Sequence, residues 1–172
     1  MEVSEFRNKT RLKKKEIRKL KEELSAFSST PISFGSVVEK AYYKGEKFKK
    51  FGFGEVVVYI TGGDIFALEF DGTLTLSLKG ILRFQPKGKV ITVDMGAVPF
   101  LYNGADVMAP GIVDFSRDFK RGEFVWVKDE KYGKPLVLGI ALLHFSDLEN
   151  RKKGKAVQTI HHIGDFLWQA HL

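Results

Sequence analysis

Apolar residues recur at helical spacing near the start of the chain. Leu12, Ile17, Leu20, Leu24 and Phe27 fall on one side of a helix, with charged residues between them. This spacing predicts an amphipathic α-helix over residues 10–27, whose apolar stripe packs against the rest of its domain.

Alternating apolar and polar residues then predict a series of strands. The runs lie at 37–43, where a short helix would also fit, and at 55–60, 65–70 and 73–78. Tight-turn sequences rich in Gly and Asp separate the last three runs, so we expect an antiparallel meander. The Pro-Lys-Gly sequence at 86–88 marks a boundary, which predicts a mixed α/β N-terminal domain over residues 1–86.

The second half reads as more short strands with brief helical turns. Strands are predicted at 90–93, 107–112, 124–127, 136–143 and 156–163. Asp94 is expected to cap a short helix that Asn103-Gly104 ends, and Ser146 with Glu149 fits a capping box. Many short strands of this kind predict a small β-barrel over residues 87–172. The expected fold class is therefore α+β, with two domains.

Charge is concentrated at one place in this sequence. The net charge of the 172 residues is +7, and residues 7–21 hold nine Lys or Arg against one acid, Glu16. A polyanion is the natural partner of such a patch, and Lys14, Arg18 and Lys21 are the candidate contacts. The alternative is a solvated helix face whose lysines confer solubility.

Several classes of chemistry find no support in the residues. Cysteine is absent, which excludes disulfides and thiol nucleophiles, and no phosphate-binding loop or dinucleotide motif occurs. His161 and His162 are adjacent, so on a strand they point to opposite faces and do not suit one metal ion. We therefore expect no enzyme activity, no metal and no cofactor. The chain also lacks a long apolar run and a secretory signal, so we expect a cytoplasmic protein without membrane contact.

A family pattern appears in the second half, in the correct order. Asp-Met-Gly-Ala at 94–97 is followed by Asn-Gly-Ala-Asp-Val-Met-Ala-Pro-Gly-Ile at 103–112, the strand at 124–127, Gly-Ile-Ala at 139–141 and Gly-Lys-Ala-Val at 154–157. His162 to Asp165 and Trp168 complete it. This pattern resembles the PUA domain, an RNA-binding module. The order of basic helix, meander and PUA pattern further resembles the malignant T-cell amplified sequence family and its archaeal relatives, in which a pre-PUA domain comes first.

The resemblance implies where RNA would lie. In PUA domains it lies against the first helix, the glycine loop after it and the next strand. Small residues there leave the backbone open to a phosphate or a base edge. Alternatively, the glycines only shape a turn, and Val107 and Met108 belong to the core. The matching positions are Gly96, Ala97, Asn103, Gly104, Ala105, Asp106, Val107 and Met108.

Two further basic clusters are candidates for RNA contact, and the first could equally be a solvated loop. One is a predicted loop containing Arg151, Lys152, Lys153 and Lys155. The other interleaves lysines with aromatic residues that would stack on bases if exposed, although Phe is more often core. Its members are Lys44, Lys47, Lys49 and Lys50, with Tyr43, Phe48, Phe51 and Phe53.

The residues and the resemblance together predict a non-enzymatic RNA-binding protein that acts in translation or on tRNA or rRNA. The small ribosomal subunit or a translation factor is the further partner that the resemblance implies. Two alternatives stay open: a protein-interaction module that docks through the meander, and an accessory subunit that positions substrate for an RNA-modification enzyme.

Overall fold

The computed structural model describes residues 5–150 and 153–172 and places them in two units. The first contains the described residues up to Pro86 together with Phe166–Leu172, and the second contains Lys87–Asp165. The last seven residues thus lie with the first unit, rather than with the second as we expected. Aromatic packing holds them there, because the ring of Phe166 lies 4.5 Å from that of Tyr43 and 5.7 Å from that of Phe6.

The first unit is built on a five-stranded antiparallel sheet whose strands follow one another in chain order. This arrangement confirms the predicted meander. The strands are β1 (Phe6–Arg11), β2 (Glu39–Tyr43), β3 (Val56–Thr61), β4 (Asp64–Phe70) and β5 (Thr73–Leu76). The helices of this unit are α1 (Lys14–Ser28), α2 (Glu46–Lys49), α3 (Leu78–Phe84) and, at the end of the chain, α6 (Phe166–Gln169).

Helix α1 begins later than the predicted residue 10. Thr10 and Arg11 pair with Lys40 and Glu39 of β2, so their backbone groups are already used in the sheet. The helix starts after Lys13, whose N–H donates to Glu16 Oε2 at 2.8 Å. The predicted apolar stripe is otherwise correct: Ile17, Leu20 and Leu24 are buried within the helix, and Leu12 is buried just before it.

Two local predictions in the meander are settled by hydrogen bonding. Residues 39–43 form a strand and not a short helix, because β2 pairs with both β1 and β3. The predicted strand 73–78 ends at Leu76, and Ser77 starts helix α3. The Ser77 hydroxyl accepts from the Gly80 N–H at 3.1 Å and donates to the Ile65 carbonyl at 2.7 Å, so one side chain ends the strand and caps the helix.

The second unit contains a six-stranded sheet in the order β7-β11-β10-β9-β6-β8. Its edge strands, β7 and β8, are joined by only three residues, Ala109–Gly111, so the sheet curls into a half-barrel. The pair β6–β9 is parallel and the other pairs are antiparallel. The strands are β6 (Val90–Val93), β7 (Val107–Met108), β8 (Ile112–Phe115), β9 (Phe124–Asp129), β10 (Pro135–Ala141) and β11 (Lys155–His162).

Two short helices complete the second unit, α4 (Val98–Tyr102) and α5 (Phe145–Leu148). The prediction for the first is confirmed, because Asp94 Oδ1 accepts from the Ala97 N–H at 3.0 Å in the 3₁₀ turn that leads into α4. The capping box at Ser146 is wrong. His144 is the N-cap, since its Nδ1 accepts from the Ser146 N–H at 3.1 Å, and the helix has already begun at Phe145.

Candidate nucleic-acid interface

A cavity of about 630 Å³ opens beside α4 in the second unit. Its walls are mostly small or apolar residues, and three charged side chains, Asp94, Asp106 and Lys155, lie among them. Six of the eight positions that the resemblance implied line it. The wall consists of Asp94, Gly96, Ala97, Phe100, Leu101, Ala105, Asp106, Val107, Met108, Pro110, Gly111 and Lys155.

The floor of the cavity depends on small residues at a close approach of two chain segments. The Asp94 N–H donates to the Gly111 carbonyl at 2.9 Å, which ties the end of β6 to the turn before β8. A Cβ placed on Gly111 would lie 3.4 Å from the Cβ of Ala97, already in van der Waals contact. Larger residues here would fill the space, so the small side chains keep the cavity open.

Asn103 and Gly104 are not part of the cavity wall, although we had predicted that they would lie at the site. They end α4, where Gly104 donates from its N–H to the Leu101 carbonyl at 3.0 Å and adopts φ of +82°. A Cβ on Gly104 would lie 3.0 Å from His162 Nε2, so the turn packs closely on that ring. Gly104 thus shapes the turn, as the alternative interpretation held for the glycines, and RNA contact by Asn103 and Gly104 stays a prediction.

The charged groups of the cavity are held by specific partners. Asp106 Oδ1 accepts from the Thr159 N–H at 2.9 Å, and its Oδ2 lies 3.1 Å from Lys155 Nζ. The Thr159 hydroxyl donates to the Ala105 carbonyl at 2.7 Å. These contacts fix residues 105 and 106 against β11 and hold the exposed Lys155 ammonium at the rim, where it can reach an anion.

Side chains along the site divide between core and surface. Val107 is 1% exposed and belongs to the hydrophobic core of the unit, as the alternative interpretation held. Met108 is 46% exposed and Phe100 is 68% exposed, so an apolar surface borders the cavity. Sequence reasoning missed Phe100, because a helix of five residues is too short for its spacing to show which side faces solvent.

The basic face of α1 forms a separate candidate surface in the first unit. Lys14, Arg18 and Lys21 follow one another at spacings of four and three, so they share one side of the helix. They line a cleft of about 300 Å³ with Ile17, Phe34, Gly35 and Ser36. Among the described residues none of the three cations is in an ion pair, although the Lys21 ammonium lies 5.1 Å from the Phe34 ring centroid.

The remaining basic clusters give a mixed outcome. Arg151 and Lys152 lie outside the described residues, whereas Lys153 is exposed and Lys155 is at the cavity. In the cluster of lysines and aromatic residues around α2, Phe48 is fully buried and Tyr43 is 5% exposed, so the core interpretation is confirmed for these two rings. Phe51 and Phe53 are half-buried.

Comparison with known proteins agrees with this geometry. The family model of the PUA domain matches residues 89–163. A solved structure of a conserved PUA domain protein from Thermoplasma acidophilum is 29% identical and superposes with a TM-score of 0.75, covering 93% of this chain and 97% of that one. The uncharacterized protein MJ1432 of Methanocaldococcus jannaschii is 35% identical over 95% of this chain and 97% of its own length. The chain belongs to the PUA-domain proteins.

This PUA-domain protein also has eukaryotic relatives. Translation machinery-associated protein 20 of Schizosaccharomyces pombe is 28% identical over 120 residues, which are 67% of this chain and 66% of the relative. The resemblance to the malignant T-cell amplified sequence family, and the PUA fold of the second unit, are thereby confirmed. Because the match with MJ1432 spans nearly the whole chain, the family likeness includes the first unit and not the PUA domain alone.

The described part of this PUA-domain protein offers neither a cluster of metal ligands nor a membrane-spanning helix. Residues 5–150 and 153–172 contain no group of three or more His, Asp or Glu side chains that would hold a metal ion. His161 is buried, and its Nδ1 lies 2.8 Å from Asp165 Oδ2, so this histidine is part of the interior of the unit. Within the same ranges no helix is long and apolar enough to cross a bilayer.

Proposed function

We propose that this protein binds structured RNA and that it does so in translation or in the handling of tRNA or rRNA. The observation that carries the proposal is the cavity beside α4. It joins small residues, an exposed phenylalanine ring and a lysine at the rim, on the segment where the PUA pattern occurs. An apolar cavity with a few convergent polar groups is the usual form of a binding site.

The chemistry of the cavity suits a nucleotide that has been splayed out of a helix. A base would contact Phe100, Met108 and the small residues of the wall, and its phosphate would face the Lys155 ammonium at the rim. Folded RNA offers such unstacked bases in loops, bulges and ends. The proposal is one of binding rather than catalysis, in the cytoplasm.

The basic face of α1 would add a second type of contact. Its three cations are available for phosphates and carry no base specificity. The proposed role is therefore salt-sensitive attraction to the RNA backbone, with shape recognition left to the cavity. The likeness to Translation machinery-associated protein 20 supports translation as the process. The small ribosomal subunit or a translation factor is the further partner that we propose.

Binding of a fluorescent stem-loop RNA tests the proposal, with the stem-loop of the same sequence in DNA as the comparison. We expect Ala105→Glu to weaken binding, because it places a carboxylate inside the cavity. Val113→Glu is the matched control: it adds the same charge at an exposed position on β8. Absence of RNA binding by the unaltered protein would refute the proposal, and equal effects of the two variants would refute the cavity as the site.

A pull-down from nuclease-treated lysate tests the two alternatives. Ribosomal partners that are retained after RNA has been removed would favour a protein-interaction module. Co-purification with an RNA-modification enzyme instead of ribosomes would favour an accessory subunit. Loss of all partners after nuclease treatment is the result that our proposal expects.

A further inference from the structure

The turn between β9 and β10 exposes a large aromatic ring. Tyr132 is 73% exposed, the highest fraction among the large hydrophobic residues of the described chain. It lies in the segment 129–134, which we call the tyrosine turn. A ring this exposed buries little apolar area and contributes little to the stability of the fold, and most of its surface is open to solvent.

A buried carboxylate holds the tyrosine turn in shape. Asp129 is only 3% exposed, and its two oxygens accept from the backbone N–H groups of Tyr132 and, at 3.0 Å, of Lys134. The Glu130 N–H donates to the Val93 carbonyl at 2.9 Å, which fixes the start of the turn to β6. The ring is therefore presented by a rigid backbone, which lowers the entropy lost when a ligand stacks on it.

Lysines accompany the aromatic rings of this surface. The Lys131 ammonium lies 5.2 Å from the centroid of the Tyr132 ring. Lys134 Nζ donates to the hydroxyl of Tyr102 at 3.1 Å and lies 5.6 Å from the centroid of its ring. The tyrosine turn thus contributes to two lysine–tyrosine pairs, and Glu130 is the exposed acid of the turn.

The tyrosine turn is linked to the cavity through α4. In this helix Leu101 is buried, while Phe100 on one side lines the cavity and Tyr102 on the other side contacts Lys134. Residues one position before and after a buried residue lie about 100° to either side of it. Phe100 and Tyr102 therefore flank Leu101, and the Lys134 contact connects Tyr102 to the tyrosine turn.

We infer that the tyrosine turn and Tyr102 form a stacking surface for unpaired nucleotides that flank the nucleotide in the cavity. Exposed aromatic rings interleaved with lysines suit single-stranded RNA, because every base has a face to stack and every nucleotide has a phosphate. The Lys131 ammonium beside the Tyr132 ring would contact the phosphate of a nucleotide whose base stacks on that ring. This inference rests on the proposed function, since it extends the same RNA beyond the cavity.

Two stem-loop RNAs test the inference in the full chain. One carries a single-stranded extension with bases, and the other carries the same extension made of abasic residues, which keeps the phosphates and removes the stacking. Tyr132→Ala is expected to weaken binding of the first RNA by roughly fivefold or more and to leave binding of the second unchanged. Tyr132→Phe keeps the ring and is expected to bind like the unaltered protein. Urea unfolding checks that the exposed substitution leaves the fold intact.

The outcomes separate this inference from the proposed function. If the unaltered protein binds both stem-loops and Tyr132→Ala changes neither affinity, the stacking surface is refuted while RNA binding stands. Equal weakening on both RNAs, or a loss with Tyr132→Phe as large as with Tyr132→Ala, also refutes stacking. If the unaltered protein binds neither RNA, both the proposed function and this inference fall.

Discussion

Asp106 and Lys155 form an ion pair at the rim of the cavity, with 3.1 Å between Oδ2 and Nζ. Asp106 also accepts from the Thr159 N–H, so the carboxylate is fixed while the Lys155 side chain stays 62% exposed. An ion pair this exposed contributes at most about 1 kcal/mol to stability. The pair therefore matters for position. It keeps the Lys155 ammonium beside the cavity, where an RNA phosphate can replace Asp106 as its partner.

Replacing Lys155 with Gln tests that role. We expect RNA affinity to fall, and the slope of log affinity against log salt concentration to decrease by roughly 0.7–0.9, the value for one phosphate contact. Lys120→Gln is the control, because Lys120 is an exposed lysine of the same unit outside the cavity wall. Salt titrations of RNA binding measure this slope for both variants. An equal decrease of the slope in both would show that Lys155 does not contact a phosphate at the cavity.

Charge reversal on α1 tests the second surface. The triple variant Lys14→Glu, Arg18→Glu and Lys21→Glu should weaken RNA binding and lower the salt slope by roughly 2–3, as expected for three lost phosphate contacts. The control reverses Arg83, Lys120 and Arg121, three exposed cations outside the candidate clusters, and changes the net charge equally. If the two triple variants lose the same affinity, attraction is a property of net charge and α1 is not part of the site.

Replacing Gly104 with Ala tests how the turn after α4 is built. Its φ of +82° costs an L-residue about 1–2 kcal/mol, and the new Cβ would lie 3.0 Å from His162 Nε2. Urea unfolding should show a larger loss than Gly122→Ala, where φ is +89° and no atom lies within 4 Å of the added Cβ. Adding His162→Ala to Gly104→Ala should recover only the part of the lost free energy of unfolding that comes from the clash with the His162 ring, and not the part that comes from the positive φ. Equal losses for the two glycine variants would contradict close packing against His162.

The sequence predicted those parts of the fold whose signals are local. The stripe Ile17, Leu20 and Leu24 marks α1 within four turns, and Asp94 caps the turn before α4 through a neighbour three residues away. Strand β1 gave no such signal, because five of its six residues are polar and exposed and only pairing with β2 makes it a strand. Helix α6 was missed for a related reason, because its position depends on packing of the Phe166 ring against Phe6 and Tyr43, which are distant in the sequence.

The candidate site shows the same division. The resemblance located the small residues of the cavity, because Gly, Ala and Pro at fixed spacing can be recognised from the sequence alone. Phe100 was missed, since burial on either side of a five-residue helix depends on the sheet beneath it. Tyr132 was missed because its segment reads only as a turn, and the partner that makes it rigid, Asp129, is buried by the surrounding sheet.

The pH dependence of stability tests Asp129. Burial raises the pKa of this carboxyl, but the backbone N–H groups of Tyr132 and Lys134 outweigh that effect and hold the pKa below its usual range. A carboxyl whose pKa is lowered by folding stabilises the fold above its unfolded pKa, and this contribution disappears as the pH falls through the folded pKa. Asp129→Asn should therefore cost about 1–3 kcal/mol at neutral pH, because one N–H of the turn loses its acceptor.

Urea unfolding of the unaltered protein and of Asp129→Asn, repeated from pH 7 down to pH 2.5, measures this difference. The difference in free energy of unfolding between the two proteins should be largest near neutral pH. It should decrease below about pH 4, the unfolded pKa of an aspartate. Asp71→Asn, an exposed aspartate in the turn between β4 and β5, makes the same change in charge and serves as control. A gap that stays constant over the whole range would mean that Asp129 holds the turn without its charge. In that case the rigidity of the tyrosine turn would depend on geometry alone, and Tyr132 would be presented equally well in acid.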